Sequence, residues 1–190
     1  KGVGLFAAAF MERFPLLPVE EEGRLHDAGL RENFIERVFT FRRWKDLREA
    51  GTTLGNLVRF HTQHKLLIMA HGRKTLSELG RLVADGKRIA PRELFDRYAE
   101  GMMAGLRLIA TVKKNTDVLF HAMGYFKRDL SPDEKEELRG LIERYHAGYV
   151  PLIVPITLVN HYVRRFRPPY LLDQRYLDPH PHELMLRNHA

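Results

Sequence analysis

Apolar residues recur at three- and four-residue intervals along almost the whole chain, and no run alternates at period two. The pattern predicts helices. Residues 30–47, LRENFIERVFTFRRWKDL, read as a charged amphipathic helix, residues 56–71 as a second and residues 75–85 as a shorter third. Pro91 suits the first turn of a long helix reaching about residue 110. Residues 115–127 follow, with Asn115 or Thr116 as the cap. Ser131-Pro-Asp-Glu134 is the clearest boundary: serine caps, proline takes the first turn and Glu134 reaches back in a capping box. That helix should run to about His146 and stop at Gly148, where glycine tolerates the left-handed turn. Pro155 then opens a helix to about Phe166, which RPPY ends, and LDPHPHELMLRNHA reads as a loop with a short final helix. The expectation is an all-α fold: a single helical domain of about seven helices over residues 30–190.

Residues 1–29 differ. KGVGLFAAAFMERFPLLPVEEEGRL holds a small-residue start, one short helix and a proline-punctuated acidic linker, as expected for the tail of a preceding domain. The chain opens on Lys1 rather than methionine, so it is expected to be a piece of something longer. Gly2, Gly4 and Ala7 match the dinucleotide pattern G-x-G-x-x-A, but that pattern needs a preceding strand and a parallel sheet, and neither is readable.

Composition changes the picture in two places. No cysteine occurs among the 190 residues, which excludes disulfides, thiol catalysis and any iron–sulfur or cysteine-type zinc site built by this chain alone. It also fits a cytoplasmic protein. The longest apolar run, VPLIVPITLV, is too short to span a bilayer and carries two prolines, so no membrane partner is expected. The other signal is charge: 31 Lys and Arg against 24 Asp and Glu give +7, a balance that favours anionic partners.

The carboxylates are unevenly spread. Residues 50–77 contain Arg59, Lys65, Arg73 and Lys74 but no acid, and residues 101–116 contain Arg107, Lys113 and Lys114 but no acid. The longest such tract, residues 144–172, ends in NHYVRRFRPPY, where Arg164, Arg165 and Arg167 alternate with Tyr162, Phe166 and Tyr170. Guanidinium groups beside aromatic rings suit phosphates and unstacked bases. In the alternative, these cations merely solvate helix faces.

The segment RFHTQHKLLIMAHG holds three histidines. At 100° per residue, His61, His64 and His71 share a face with Leu54, Leu57, Phe60 and Ile68, with Lys65 at its edge. Imidazoles on a packing face carry a desolvation cost, so they are either satisfied inside the core or line a polar pocket. His121, Asn160 and His161 from other helices are candidates for the same pocket. A metal fits this segment less well, because residues 50–77 supply no carboxylate and the di-iron motif Glu-x-x-His occurs only as Glu143–His146. No P-loop or serine elbow is present.

Five stretches in order, RENFIERVFTFRRW, LVRFHTQHKLLIMAH, HAMGYFKRDLSPDEKEEL, VPLIVPITLVNHYVRRF and YLDPHPHELMLRNH, resemble the YbgA-like family, long filed as a domain of unknown function. The opening GVGLFAAAFMERFPLLPVEEEGRL resembles the last segment of the thiouracil desulfidase domain that often precedes it. The resemblance implies a parent protein similar to an iron–sulfur enzyme that removes sulfur from 4-thiouridine in tRNA. Its cluster and cysteines would lie in the upstream domain, with no cofactor in this chain. The implied partners are tRNA or another RNA and the upstream desulfidase domain of the same polypeptide, and the implied role here is non-catalytic. Arg73, Lys74, Lys113, Lys114, Arg164, Arg165 and Arg167 are then expected to contact nucleic acid. The polar pocket would comprise His61, His64, Lys65, His71, His121, Asn160 and His161. The alternatives are a small hydrolase or metal-dependent enzyme centred on His61, His64 and His71, and a docking module that makes no RNA contact.

Overall fold

The computed structural model describes residues 4–189, which form helices and, among the described residues, no strand. Gly2 lies outside the described residues; Gly4 caps a short helix, and no β-strand occurs among the described residues to support the dinucleotide pattern. The helices are α1 (Leu5–Arg13), α2 (Ala28–Ala50), α3 (Leu54–His71), α4 (Arg73–Ala84), α5 (Pro91–Leu106), α6 (Val112–Met123), α7 (Pro132–His146), α8 (Ile153–Phe166) and the single turn α9 (Pro169–Leu172). No helix among the described residues is long and apolar enough to cross a membrane.

Local chemistry sets most boundaries. Asp27 and Thr53 cap α2 and α3 by accepting from Leu30 N–H and Asn56 N–H. Ser131 and Glu134 form the reciprocal capping box at α7, with Pro132 in its first turn. Several boundaries differ from expectation: α5 stops at Leu106, α6 spans Val112–Met123, and α8 opens at Ile153 rather than Pro155 while ending at Phe166 as expected. Thr111, not Asn115 or Thr116, caps α6, and both of those residues sit buried inside the helix. Asn115 instead accepts a hydrogen bond from the Tyr176 hydroxyl at 3.0 Å, so a tertiary contact has displaced a local preference. Arg167 ends α8 in the left-handed conformation at φ 51°, and the second proline of RPPY starts α9.

Helix α3 is the hub, packing on α2, α4, α5 and α6, while α6 carries contact onward to α7 and α8. Trp44 of α2 anchors the first layer, stacked on Tyr98 at 5.5 Å and edge-on to Phe60 at 5.4 Å between ring centroids. Phe126, Tyr162 and Phe166 form a second aromatic group between α6 and α8. The tail after α9 folds back over α3: Arg175 N–H donates to Gln63 O at 2.9 Å, and Gln174 lodges its amide against the same turn. Through that return, residues 174–189 reach α2 and the open side of α8.

Candidate functional site

The three histidines of α3 are buried as their helical phase requires, but each meets a different neighbour. His61 Nδ1 is hydrogen-bonded to the Tyr98 hydroxyl of α5 at 3.0 Å. His64 donates from Nδ1 to Phe60 O at 2.7 Å and accepts at Nε2 from Arg43 Nε at 3.2 Å, a pattern that requires the neutral ring. Burial, reinforced by the Arg43 charge, accordingly depresses His64 to about 3, and burial beside Lys65 depresses His61 to about 4. His71 points the other way, with Nδ1 2.6 Å from Leu108 O and Nε2 3.2 Å from Glu36 Oε2. Lys65 is half-buried at the edge of this face.

The other candidate pocket residues lie elsewhere. His121 is exposed and edge-on to Tyr125, His161 is exposed and edge-on to Tyr162, and Asn160 donates to Leu177 O at 3.3 Å. The structure therefore does not gather His121, Asn160 and His161 around the three imidazoles of α3.

The cations separate into two groups. Arg73 faces Asp117 of α6 at 3.7 Å, Lys74 faces Glu78 one turn along α4 at 3.9 Å, and Arg165 pairs with Glu134 at the start of α7 while lying over the Phe166 ring. Arg73 and Arg165 thus acquire carboxylates from neighbouring helices, and Lys74 from its own. Lys114 donates to His71 O and Ile109 O, both at 2.8 Å, and so ties the end of α3 to the loop before α6. Lys113, Arg164 and Arg167 are exposed and form no ion pair with a described carboxylate.

Arg164 has a distinct setting. With Asn160 one turn earlier, it lines a cleft of about 330 Å³ between α8 and the returning tail, whose far wall includes His180, Arg187 and Asn188. Behind that wall lies a buried polar cluster that residue spacing alone did not flag. Glu32 and Glu36 project from successive turns of α2. Arg187 donates from Nε to Glu32 Oε1 at 3.1 Å, from Nη2 to Glu36 Oε1 at 2.7 Å and from Nη1 to Tyr176 O at 2.7 Å. Burial opposes ionisation of Glu36, yet the His71 hydrogen bond and the Arg187 charge outweigh it and hold the carboxyl down at about 2. Burial and the Glu36 charge push Glu32 up to about 7. His180 completes the cluster, and the ligand atoms of Glu32, Glu36 and His180 all lie within 4.8 Å of one another.

A further missed feature is aromatic. Tyr125, in the single 3-10 turn after α6, stacks on Tyr170 with centroids 4.8 Å apart and planes 15° from parallel. Tyr170 belonged to the Arg/aromatic tract; Tyr125 carried no signal of its own, because only folding places it there.

A family model described as "Protein of unknown function (DUF1722)" matches residues 65–181. The chain is also similar to "Uncharacterized protein YbgA" of Escherichia coli (strain K12), 30% identical over 158 residues, which cover 83% of this chain and 94% of that one. No solved structure matches.

Proposed function

The chain belongs to the YbgA-like DUF1722 family, and we propose that it works as a non-catalytic RNA-binding module, presenting tRNA to an iron–sulfur desulfidase domain on the same polypeptide. The observation that carries the RNA part is the cleft beside α8. Its volume of about 330 Å³ suits a single nucleotide, and it offers Asn160 as a hydrogen-bonding edge and Arg164 as a phosphate contact. Arg167 follows at the exposed end of the same helix, close in sequence to Tyr170 of the tyrosine stack. The net charge of +7 supplies the long-range attraction. The desulfidase part rests on the resemblance of residues 1–29 to the end of such a domain, with its cluster held by cysteines outside this chain.

In this reading the histidines of α3 are architectural, and the nucleotide meets the cleft rather than the imidazole stripe. A tRNA titration across salt tests the proposal, comparing the protein with the Arg164→Ala/Arg165→Ala variant. The expected log–log slope is about −0.7 to −0.9 per neutralised phosphate, and the variant should bind more weakly with a shallower slope. Identical curves for the two proteins would sink it.

A second reading is favoured by α1. Leu5 is 93% and Phe6 83% exposed there, apolar surface of the kind that another domain covers. A pure docking module would leave tRNA affinity unchanged when the arginines are removed.

A further inference from the structure

We propose that Glu32, Glu36 and His180 bind one divalent first-row transition-metal ion, of the Zn²⁺, Mn²⁺ or Fe²⁺ class, at the inner wall of the cleft beside α8. The proposal goes beyond the RNA reading and does not depend on it.

Three features of the geometry carry it. Glu32 and Glu36 stand four residues apart on α2, so both carboxylates project from the same face of one helix. His180 arrives from the tail, and the three donor atoms already fit within 4.8 Å of one another. Ligand atoms around an ion at about 2.0–2.2 Å sit roughly 3–4.4 Å apart, so a small inward adjustment completes the site.

The strongest feature is the state of His180. Its side chain is only 6% exposed, and Nε2 is buried without a hydrogen-bond partner. Its other nitrogen, Nδ1, is 3.2 Å from Pro181 O. A carbonyl can only accept, so Nδ1 carries the proton and Nε2 is left as a bare, unpartnered lone pair on the ring that joins the two carboxylates in this cluster. Arg187 already answers one oxygen of each carboxylate, and a cation would supply the partner that the buried Nε2 lone pair lacks. The Nδ1–H···O=C bond is also the arrangement by which metal-binding histidines are oriented.

Arg187 is compatible with this role. It holds one oxygen of each glutamate and so fixes both carboxylates, while His71 steadies Glu36 from behind through Oε2. Each carboxylate oxygen has lone pairs to spare for an ion. An imidazole donor favours transition ions over Mg²⁺ or Ca²⁺.

The test uses the full chain, stripped with chelator and titrated calorimetrically with Zn²⁺ and with Mn²⁺. One ion should bind per chain, and His180→Ala and Glu32→Gln should each weaken binding at least about 10-fold. Because His180 Nε2 makes no hydrogen bond, His180→Ala should keep the circular dichroism spectrum of the chelator-treated protein. Co²⁺ gives a second readout: its visible absorption should appear in the unaltered chain and be absent in both variants. Failure to bind an equivalent at ~100 μM ion overturns the proposal. So does unchanged affinity in both variants, which would mark an adventitious ion only.

Discussion

The side-chain oxygen of Gln174 accepts a hydrogen bond from the backbone N–H of Leu66 at 3.2 Å, across 108 residues of chain. The amide nitrogen of the same side chain donates to Thr62 O at 2.7 Å. Thr62 O and Leu66 N–H are the two groups that a regular helix pairs with each other, so a side chain from the tail bridges one rung of α3. That rung lies in the middle of the histidine segment and fixes the tail against it.

Gln174→Glu should therefore be more disruptive than its size suggests. The carboxylate keeps the acceptor for Leu66 but presents no donor to Thr62 O, and it brings a charge into a site where Gln174 is buried. Loss of a buried hydrogen bond with its partner left unsatisfied costs about 1–3 kcal/mol, and the charge adds to this. Urea unfolding should place Gln174→Glu below Gln174→Met, which brings in neither charge nor polar competition. Stability of both variants equal to that of the unaltered chain would show that the bridge contributes nothing.

A pH dependence follows from α3. His64 is held at about 3 and His61 at about 4, against an ordinary value near 6.5, chiefly by burial, with the charges of Arg43, Arg175 and Lys65 adding to it. Below pH 6.5 the unfolded chain takes up protons that the folded chain refuses. Stability is therefore complete above that pH and declines as pH falls toward the folded values. At pH 5 the loss should be about 2 kcal/mol per histidine. Glu32, pushed up to about 7, takes up its proton in the folded state over the same window and offsets part of that loss, so the test is a difference: urea unfolding from pH 7.5 to 5 should show His64→Gln losing about 2 kcal/mol less than the unaltered chain. A variant profile parallel to that of the unaltered chain would contradict the burial argument.

Much of the helical framework was legible because its determinants are local. Ser131, Pro132 and Glu134 define the start of α7 within four residues, and the 100° phase of His61, His64 and His71 correctly marked a buried face. What those histidines do was not legible, since their partners Tyr98, Arg43, Glu36 and Leu108 come from other elements. The same limit governs charge. Residues 30–47 read only as a charged amphipathic helix, and nothing local marks Glu36, which is 2% exposed because Arg187 arrives 151 residues later to meet it. Linear acid-free tracts likewise said nothing of Asp117 or Glu134, which fold beside Arg73 and Arg165.

Close helix approach gives a third prediction. A Cβ added to Gly105 of α5 would sit 2.3 Å from Thr75 Cγ2 and 2.9 Å from its Oγ1 on α4. Gly105→Ala should destabilise by about 1–3 kcal/mol through overpacking, despite the better helix propensity of alanine. Thr75→Ala removes both of those atoms and leaves only its own Cβ at 3.0 Å. The double variant should recover part of the loss, giving a favourable coupling in a double-mutant cycle. Strict additivity would place the strain elsewhere.

The ranking of cations gives the last prediction. A phosphate that recruits Arg73 or Lys74 must displace Asp117 or Glu78, so part of each Coulomb gain is cancelled. Arg164 and Arg167 face no such competition, and Arg164 already lines the cleft. Arg164→Ala/Arg167→Ala should therefore reduce tRNA affinity more than Arg73→Ala/Lys74→Ala, although both pairs remove two positive charges. Its salt slope should fall by about one per lost contact. Tyr125→Ala removes the exposed half of the tyrosine stack and, if a base lies on it, should cost about 1–3 kcal/mol with little change in slope, because stacking releases no counterions. Fluorescence anisotropy at several salt concentrations separates the two effects. Equal losses from the two arginine-containing pairs would mean that only net charge matters and that the α8 cleft is not where RNA is held.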